Sequence, residues 1–242
     1  MVFSSLPAAS TAVVVGASRG IGLAVAKALL EQPQIKDLVT VSRHGNSPVG
    51  QALAADISTD TGRRRLAETM AGRPCHLLIN TVGLLHNSTL QPEKRLEELN
   101  EQSLMASHQV NAFAPALTVA ALWPSLKLAG QGLICHFSAR VGSISDNHLG
   151  GWYSYRAAKA SQNQLNRTLA IELGRRLPAM YLLTFHPGTT DTELSEPFQA
   201  RVPPAKLFTP TFVAERLLAL LAKAGPQHHG GFWDWDAKAI GW

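Results

Sequence analysis

The chain has 242 residues, of which 45% are hydrophobic and 16% are charged, a composition typical of a globular protein with a buried core. Its formal net charge is +5, but the basic clusters at 63–65 and 175–176 are short and lack interleaved aromatic residues, so we expect no nucleic-acid partner. The absence of an apolar run of about 18 residues, of a signal-peptide pattern and of a disulfide framework in a chain with two cysteines favours a cytoplasmic protein with no membrane partner.

The N-terminal part predicts a strand, a glycine-rich turn and a helix. Residues 11–15 form a short apolar run typical of a buried parallel strand, and a helical pattern covers 23–30. The intervening segment 16–22 reads GASRGIG, with the spacing G-x-x-x-G-x-G rather than G-x-G-x-x-G. A helix start in this context can bind a pyrophosphate through its backbone N–H groups. Dinucleotide binding is favoured over the alternative, a plain glycine-rich turn.

The next strand, predicted over 38–41, bears on the choice of nicotinamide cofactor. An enzyme that prefers NAD usually has an acidic residue after this strand, to bind the ribose hydroxyls. Here Arg43 occupies that region, and Arg19 lies within the glycine-rich turn. Guanidinium groups suit a 2′-phosphate by charge and by bidentate hydrogen bonding. The pair therefore predicts NADP(H) in preference to NAD(H), with ordinary surface arginines as the alternative.

The remaining pattern alternates strands with helices. Further strands are predicted over 51–54, 76–80, 132–138, 180–185 and 230–235, and further helices over 59–70, 92–128 and 211–223, the last capped by Thr209 or Thr211. This alternation predicts an α/β fold: a single doubly wound Rossmann-type domain over 1–242, with helices on both faces of a parallel sheet of about seven strands in the order 3-2-1-4-5-6-7.

Tyr155 and Lys159 lie four residues apart in a segment rich in helix-forming residues. Residues at this spacing share one helix face, whereas Tyr153, six residues before Lys159, faces elsewhere. A tyrosine acting as a general acid near neutral pH needs a pKa well below its usual value of about 10, and a nearby ammonium favours the phenolate. The pair is a candidate general acid, although such pairs also occur on solvated helices.

Pro115 falls inside the predicted helical region 92–128. Proline has no N–H to donate to the carbonyl four residues earlier, which belongs to Asn111. A local kink there leaves the Asn111 carbonyl free to bind a water molecule or another polar group. The alternative is a structural kink with no role in chemistry.

Together, these motifs resemble those of the short-chain dehydrogenases/reductases. The resemblance rests on the order and spacing of 16–22, 80–83 (NTVG), Asn111, Tyr155-x-x-x-Lys159 and Pro187-Gly188, and it covers essentially the whole chain. Segments 138–147, 150–156 and 235–242 are similar to those of the C-factor/sniffer-like carbonyl reductase branch.

The resemblance implies a catalytic set of Tyr155, Lys159, Asn111 and a serine. Tyr155 would protonate the substrate oxygen, Lys159 would lower the tyrosine pKa and bind the nicotinamide ribose, and the Asn111 carbonyl would hold a relay water. The implied cofactor-binding residues are Gly16, Ser18, Arg19, Gly20, Ile21, Gly22, Arg43, Asp56, Ile57, Asn80, Val82, Gly83, Tyr155, Lys159, Pro187, Gly188, Thr190 and Thr192.

Two segments depart from the family pattern. The usual N-N-A-G after the fourth strand is replaced by Asn80-Thr-Val-Gly83, and an ungapped alignment places Ala139 at the usual serine position. Ser138 and Ser143 both remain candidates for the hydroxyl that polarises the substrate carbonyl.

The resulting hypothesis is an NADP(H)-dependent oxidoreductase that transfers hydride between the nicotinamide and a small carbonyl or alcohol substrate. The alternative is a cofactor-sensing or signalling protein on the same scaffold, with little catalysis. No metal site is predicted, because His228-His229 has no further ligands at metal-binding spacing. A homo-oligomer, dimer or tetramer, is a family expectation.

Overall fold

The computed structural model of the chain describes residues 2–242, which contain nine strands and seven α-helices. The strands are β1 (Ser10–Val15), β2 (Ile35–Ser42), β3 (Gln51–Ala54), β4 (Leu77–Asn80), β5 (Gln131–Phe137), β6 (Ala179–His186), β7 (Thr189–Thr190), β8 (Leu207–Phe208) and β9 (Phe232–Asp234). The α-helices are α1 (Gly20–Leu30), α2 (Asp60–Thr69), α3 (Glu101–His108), α4 (Ala114–Ala121), α5 (Trp123–Ala129), α6 (Tyr153–Arg176) and α7 (Pro210–Ala222).

The main sheet has seven parallel strands in the order β3-β2-β1-β4-β5-β6-β9. This confirms the predicted fold class and strand order, with β9 as the seventh strand. The sequence analysis missed β7 and β8, which form a separate two-stranded sheet beyond the carboxyl end of β6. Parallel strands direct their carboxyl ends to one edge of the sheet, where α/β proteins bind ligands.

Both faces of the main sheet are buried, so its strands are almost continuously apolar. Val14 and Cys135 face a layer formed by α1 and α7. Val13 and Ile134 face the opposite layer, formed by α2, α4, α5 and α6. Alternate residues of a strand point to opposite faces, so one apolar run fills both cores. The two cysteines, Cys75 and Cys135, are free and buried in this core.

The prediction of a nearly continuous helical region over 92–128 was wrong at its start. Residues 92–100 contain only the short 3₁₀ turn Leu96–Glu98, and α3 begins after Asn100. The Asn100 side-chain oxygen accepts a hydrogen bond of 2.8 Å from the Ser103 N–H and so caps the helix. The helix therefore begins where a capping side chain is available, not at the first residue with helical propensity.

A π-helical turn, Gln109–Phe113, joins α3 to α4 just before Pro115. The Ala114 N–H donates to the Gln109 carbonyl, five residues earlier, instead of the carbonyl four residues earlier. The turn widens the helix around Asn111 and packs against α6. π-Helical turns inside helices frequently occur at functional sites.

No single helix in the described range is long and apolar enough to cross a membrane. One pair, Glu101–Ala121 with Trp123–Ala129, reaches the length and hydropathy of a span but is bent by 56°.

The cap of α7 gives a stability prediction with a matched control. Thr209 Oγ1 accepts a hydrogen bond of 3.2 Å from the Phe212 N–H, so the cap is Thr209 and not Thr211. We expect Thr209→Ala to lower the free energy of unfolding by about 1 kcal/mol, because one N–H of the first turn loses its partner. Urea denaturation measures the change. A loss as large in Thr211→Ala, an exposed threonine two residues away, would contradict this assignment.

Candidate active site

A cleft of about 960 Å³ lies at the carboxyl end of the main sheet. Its lining includes most of the predicted site residues: Gly16, Ser18, Arg19, Gly20, Ile21, Gly22, Arg43, Asp56, Ile57, Val82, Gly83, Ser138, Tyr155, Lys159, Pro187 and Thr192. The structure therefore brings the glycine-rich turn and the tyrosine–lysine pair, more than 130 residues apart in sequence, into one cavity.

The glycine-rich turn leaves β1 and enters α1 at Gly20. A Cβ atom on Gly22 would lie 2.2 Å from the Gly16 carbonyl oxygen, so only glycine fits at this position. The close approach turns the start of α1 toward the cleft, where its unpaired N–H groups can face a phosphate. The cleft is large enough for a dinucleotide, and the glycine-rich turn leaves room for its phosphates next to the backbone.

Charged residues line the part of the cleft near the carboxyl end of β2 and the glycine-rich turn. Arg19 Nη1 lies 2.7 Å from Glu193 Oε2, and both side chains are exposed. Arg43 is also exposed and lines the same cavity. Asp56 Oδ1 accepts hydrogen bonds from the Ser58 N–H at 2.9 Å and from Ser58 Oγ at 2.7 Å. The two arginines thus line the same cleft, one from the glycine-rich turn and one from the residue after β2.

Tyr155 and Lys159 are buried on the first turns of α6, on the face toward the cleft. Lys159 Nζ lies 5.8 Å from the centroid of the Tyr155 ring and donates hydrogen bonds of 3.0 Å to the Phe137 carbonyl and to Gln162 Oε1. Burial raises the pKa of Tyr155 and lowers that of Lys159 to about 7. The direction of this shift is opposite to the lowering expected from the sequence, because desolvation by burial determines it.

The two candidate serines occupy different surroundings. Ser138 lines the cleft, and its hydroxyl donates a hydrogen bond of 2.7 Å to Asn163 Oδ1. Ser143 lines a separate cavity of about 280 Å³ and donates to the Gly241 carbonyl at 2.6 Å. Only Ser138 shares the cavity of Tyr155.

Besides Ser143, four predicted site residues lie outside the lining of the cleft. Asn80 Oδ1 accepts a hydrogen bond from the Val82 N–H. The Asn111 side-chain amide accepts from the Leu84 N–H and donates to the Leu84 carbonyl. Both side chains therefore hold the backbone of the segment after β4, which lines the cleft. Gly188 packs against Phe208, and Thr190 is buried in β7.

The family model described as "short chain dehydrogenase" matches residues 10–202. The chain belongs to this family. The match covers the sheet through β6, the glycine-rich turn and the tyrosine–lysine helix. The chain is therefore an oxidoreductase of the short-chain dehydrogenase type, and a nicotinamide cofactor agrees with its cleft.

Individual similarities agree with this family assignment. The chain is 27% identical to C-signal of Myxococcus xanthus over 74% of this chain and 99% of that protein. It shares its fold with carbonyl reductase Sniffer of D. melanogaster (TM-score 0.83, 23% identity, 97% and 100% of the two chains). An NADPH-bound carbonyl reductase from chicken fatty liver gives a TM-score of 0.81 at 22% identity, over 98% and 100%. The predicted family is confirmed, and the similarities to C-signal and Sniffer agree with the predicted C-factor/sniffer-like branch.

A buried polar layer between β5 and α6 of this short-chain dehydrogenase was missed by the sequence analysis. His136 Nδ1 and Asn166 Oδ1 are 2.7 Å apart, Ser138 bonds to Asn163, and Gln162 Nε2 donates to the Phe137 carbonyl at 3.2 Å. The helix residues of this layer stand three, four and seven positions after Lys159. That spacing places them on the same helix face, which is the signal that could have revealed them.

The start of α6 is fixed by a residue from a distant segment. Glu93 is buried, its carboxylate accepts hydrogen bonds from the N–H and the hydroxyl of Ser154, and its carbonyl accepts from the Trp152 N–H. Trp152 lies edge-on to Tyr155, with ring centroids 6.3 Å apart, and contacts Phe198 at 4.9 Å. These contacts place the Trp152 ring beside Tyr155 and the Phe198 ring beside Trp152. Among residues 2–242, no group of three or more His, Cys, Asp or Glu side chains is placed to hold a metal ion.

Proposed function

We propose that the protein is an NADP(H)-dependent oxidoreductase acting on a carbonyl or alcohol substrate, with Tyr155 as the general acid or base. The observation that carries this proposal is the single cleft shared by the glycine-rich turn, Tyr155, Lys159 and Ser138. The bound nicotinamide supplies or accepts the hydride. The chain's own residues bind the cofactor, orient the substrate and move the proton.

In the reduction direction, the Tyr155 hydroxyl donates a proton to the substrate oxygen as that oxygen gains negative charge. A tyrosine of ordinary pKa is already protonated at neutral pH, so the requirement on the site is that the hydroxyl releases its proton readily. Lys159 places an ammonium in the same cavity and stabilises the phenolate that remains after the transfer. The Asn111 carbonyl, in the π-helical turn packed against α6, is the proposed holder of a relay water.

Ser138 is the proposed donor to the substrate oxygen. Its hydroxyl already donates to Asn163 of α6, and it lines the cleft as the residue immediately after β5. Exchange of the Asn163 partner for the substrate oxygen would place a second hydrogen bond on that oxygen beside that of Tyr155. Such a donor stabilises developing negative charge. Ser143 is not assigned this role, because its cavity is a different one.

Preference for NADP(H) over NAD(H) is supported by Arg19 and Arg43 at the adenosine end of the cleft. Fluorescence titration should give tighter binding of NADPH than of NADH. Arg43→Ala should weaken NADPH binding by about 10- to 100-fold and leave NADH binding nearly unchanged, because only NADPH carries the 2′-phosphate.

The matched control for Arg43 is Arg64→Ala, which removes an exposed arginine of α2 that pairs with Asp60 at 2.8 Å. It should leave both affinities unchanged. Equal affinity of the wild-type protein for NADPH and NADH would overturn the preference. Failure to bind either would overturn the assignment of the cleft as a nicotinamide site.

A second candidate function is cofactor-dependent sensing or signalling with little catalysis, which the similarity to C-signal favours. The two functions differ in turnover. A protein that binds NADPH tightly but reduces no member of a broad panel of aldehydes and ketones would be a sensor. Turnover of any panel member that is lost in a Tyr155 variant would support the reductase.

Three further properties are part of the proposal. A single domain carries both the cofactor and the substrate sites, the protein acts in the cytoplasm, and it assembles as a homo-oligomer. Size-exclusion chromatography with light scattering tests the oligomeric state.

A further inference from the structure

Lys159 is held by two acceptors that lie on different elements. Its Nζ atom donates to the Phe137 carbonyl at the end of β5 and to Gln162 Oε1 one turn further along α6, each at 3.0 Å. Gln162 Nε2 donates to the same Phe137 carbonyl at 3.2 Å. The ammonium, the amide and the carbonyl therefore form a closed triangle of hydrogen bonds inside the protein.

The chemistry of the three groups determines the orientation of the glutamine. An ammonium only donates and a carbonyl only accepts, so the Gln162 oxygen must face Lys159 and its NH₂ group must face Phe137. Gln162 and Lys159 are almost fully buried, at 1% and 2% exposure, so water does not substitute readily for either partner. Two of the three donors of the ammonium are thus used, and the third is available to the cleft that Lys159 lines.

We propose that Gln162 is a positioning residue, which keeps Lys159 charged and aimed into the cleft. A buried ammonium loses its hydration, and each hydrogen bond to the charged form offsets part of that loss. Gln162 supplies one of the two acceptors and also fixes the second, because its NH₂ group bonds to the same carbonyl. The inference rests on the proposed function, which assigns Lys159 its role.

The backbone beside Lys159 is packed too closely for the lysine to leave this triangle easily. Gly142, in the short helix Arg140–Gly142, approaches α6 so closely that a Cβ atom on it would lie 2.8 Å from Lys159 Cβ. The root of the lysine side chain is therefore fixed, and the position of Nζ depends on its hydrogen-bonding partners.

Other ionisable groups lie on the elements packed around Lys159 and could contribute to a pH dependence of activity. They are Tyr155 on α6, His136 on β5, His186 on β6, Arg140 in the short helix, and Glu101 and His108 on α3; the π-helical turn and α4 carry none. Burial lowers the pKa of His136 and of His186 to about 4, so both are neutral near pH 7. Arg140 is paired with Asp146 and Asp234 at 3.4 Å. Among the groups whose pKa burial shifts here, Lys159 is therefore the one that changes charge near neutral pH.

The direct test is a pH titration of Lys159 in the full-length, cofactor-free protein, followed by NMR of ¹⁵N-labelled lysine side chains. The Lys159 signal is assigned by its absence in Lys159→Met. We expect Gln162→Met, which keeps the length of the side chain but removes the acceptor, to lower the titration midpoint by about one pH unit. Gln162→Glu should raise the midpoint, because a carboxylate favours the ammonium.

The matched control is Gln164→Met, the same substitution at an exposed position of α6. It should leave the midpoint unchanged. Equal midpoints in Gln162→Met, Gln164→Met and the wild type would overturn the proposal. Circular dichroism confirms that the variants are folded, and Gln162→Glu, which retains an acceptor, provides the test if Gln162→Met does not fold.

Turnover provides the second readout. A lysine is charged below its pKa, so activity that needs the ammonium is lost as the pH rises through that pKa. In Gln162→Met this loss should move about one pH unit lower, with kcat affected more than KM. Absence of turnover in the wild-type protein would contradict the proposed function alone, since the NMR titration still decides the role of Gln162.

Discussion

Tyr155→Phe is expected to lower kcat for carbonyl reduction by about 10²- to 10⁴-fold, the range typical for loss of a general acid. The ring stays, so its packing against Trp152 is retained, and only the hydroxyl is removed. Affinity for NADPH should change little, because the proposed phosphate and adenosine contacts come from other elements. Steady-state kinetics and fluorescence titration of the same preparation separate the two effects.

The matched control for this experiment is Tyr153→Phe. Tyr153 is the first residue of α6 and is 37% exposed, whereas Tyr155 is 8% exposed. It carries the same phenol but faces away from the cleft, so full activity is expected. Full turnover in Tyr155→Phe would overturn the mechanism. Equal losses in both variants would point to a general disturbance of the helix instead of a catalytic hydroxyl.

Ser138→Ala is expected to lower kcat by about 10²- to 10³-fold, as found when a donor to a developing oxyanion is removed. The variant leaves the backbone of β5 unchanged but takes away the hydroxyl that lines the cleft and donates to Asn163. Because the effect is on charge that develops during the reaction, KM should change less than kcat.

Ser143→Ala distinguishes the two serines that the sequence left as alternatives. Its hydroxyl bonds to the Gly241 carbonyl and lines another cavity, so its loss should change kcat by less than tenfold, consistent with the loss of one neutral hydrogen bond. A larger loss in Ser143→Ala than in Ser138→Ala would reverse the assignment. It would show that the loop after β5 rearranges when cofactor and substrate bind.

Features that depend on local sequence could be predicted. The strands were visible because a parallel sheet buried on both faces requires continuous apolar runs, as in β1 and β5. The glycine-rich turn was visible because backbone approaches such as that of Gly22 to Gly16 exclude every side chain. The pairing of Tyr155 with Lys159 followed from helical spacing alone.

Features that depend on contacts between distant segments could not be predicted. The region before α3 has helical propensity, but Glu93 instead binds Ser154, 61 residues away, and the chain around it stays largely irregular. The upward shift of the Tyr155 pKa is caused by burial of the side chain, which the sequence alone does not reveal. Glutamine is a common residue in helices, so the sequence does not distinguish Gln162 from its neighbours. Its proposed role depends on the position of the Phe137 carbonyl, which comes from a different element.

The two core cysteines have a practical consequence for spectroscopy. The thiolate is the form that reacts with alkylating reagents, and burial raises the pKa of Cys75 to about 12 and also raises that of Cys135. Both native thiols are therefore inert near neutral pH while the protein is folded. A cysteine introduced at an exposed position such as Glu196, on the segment beside the cleft, can carry a thiol-specific fluorophore without prior removal of the native ones.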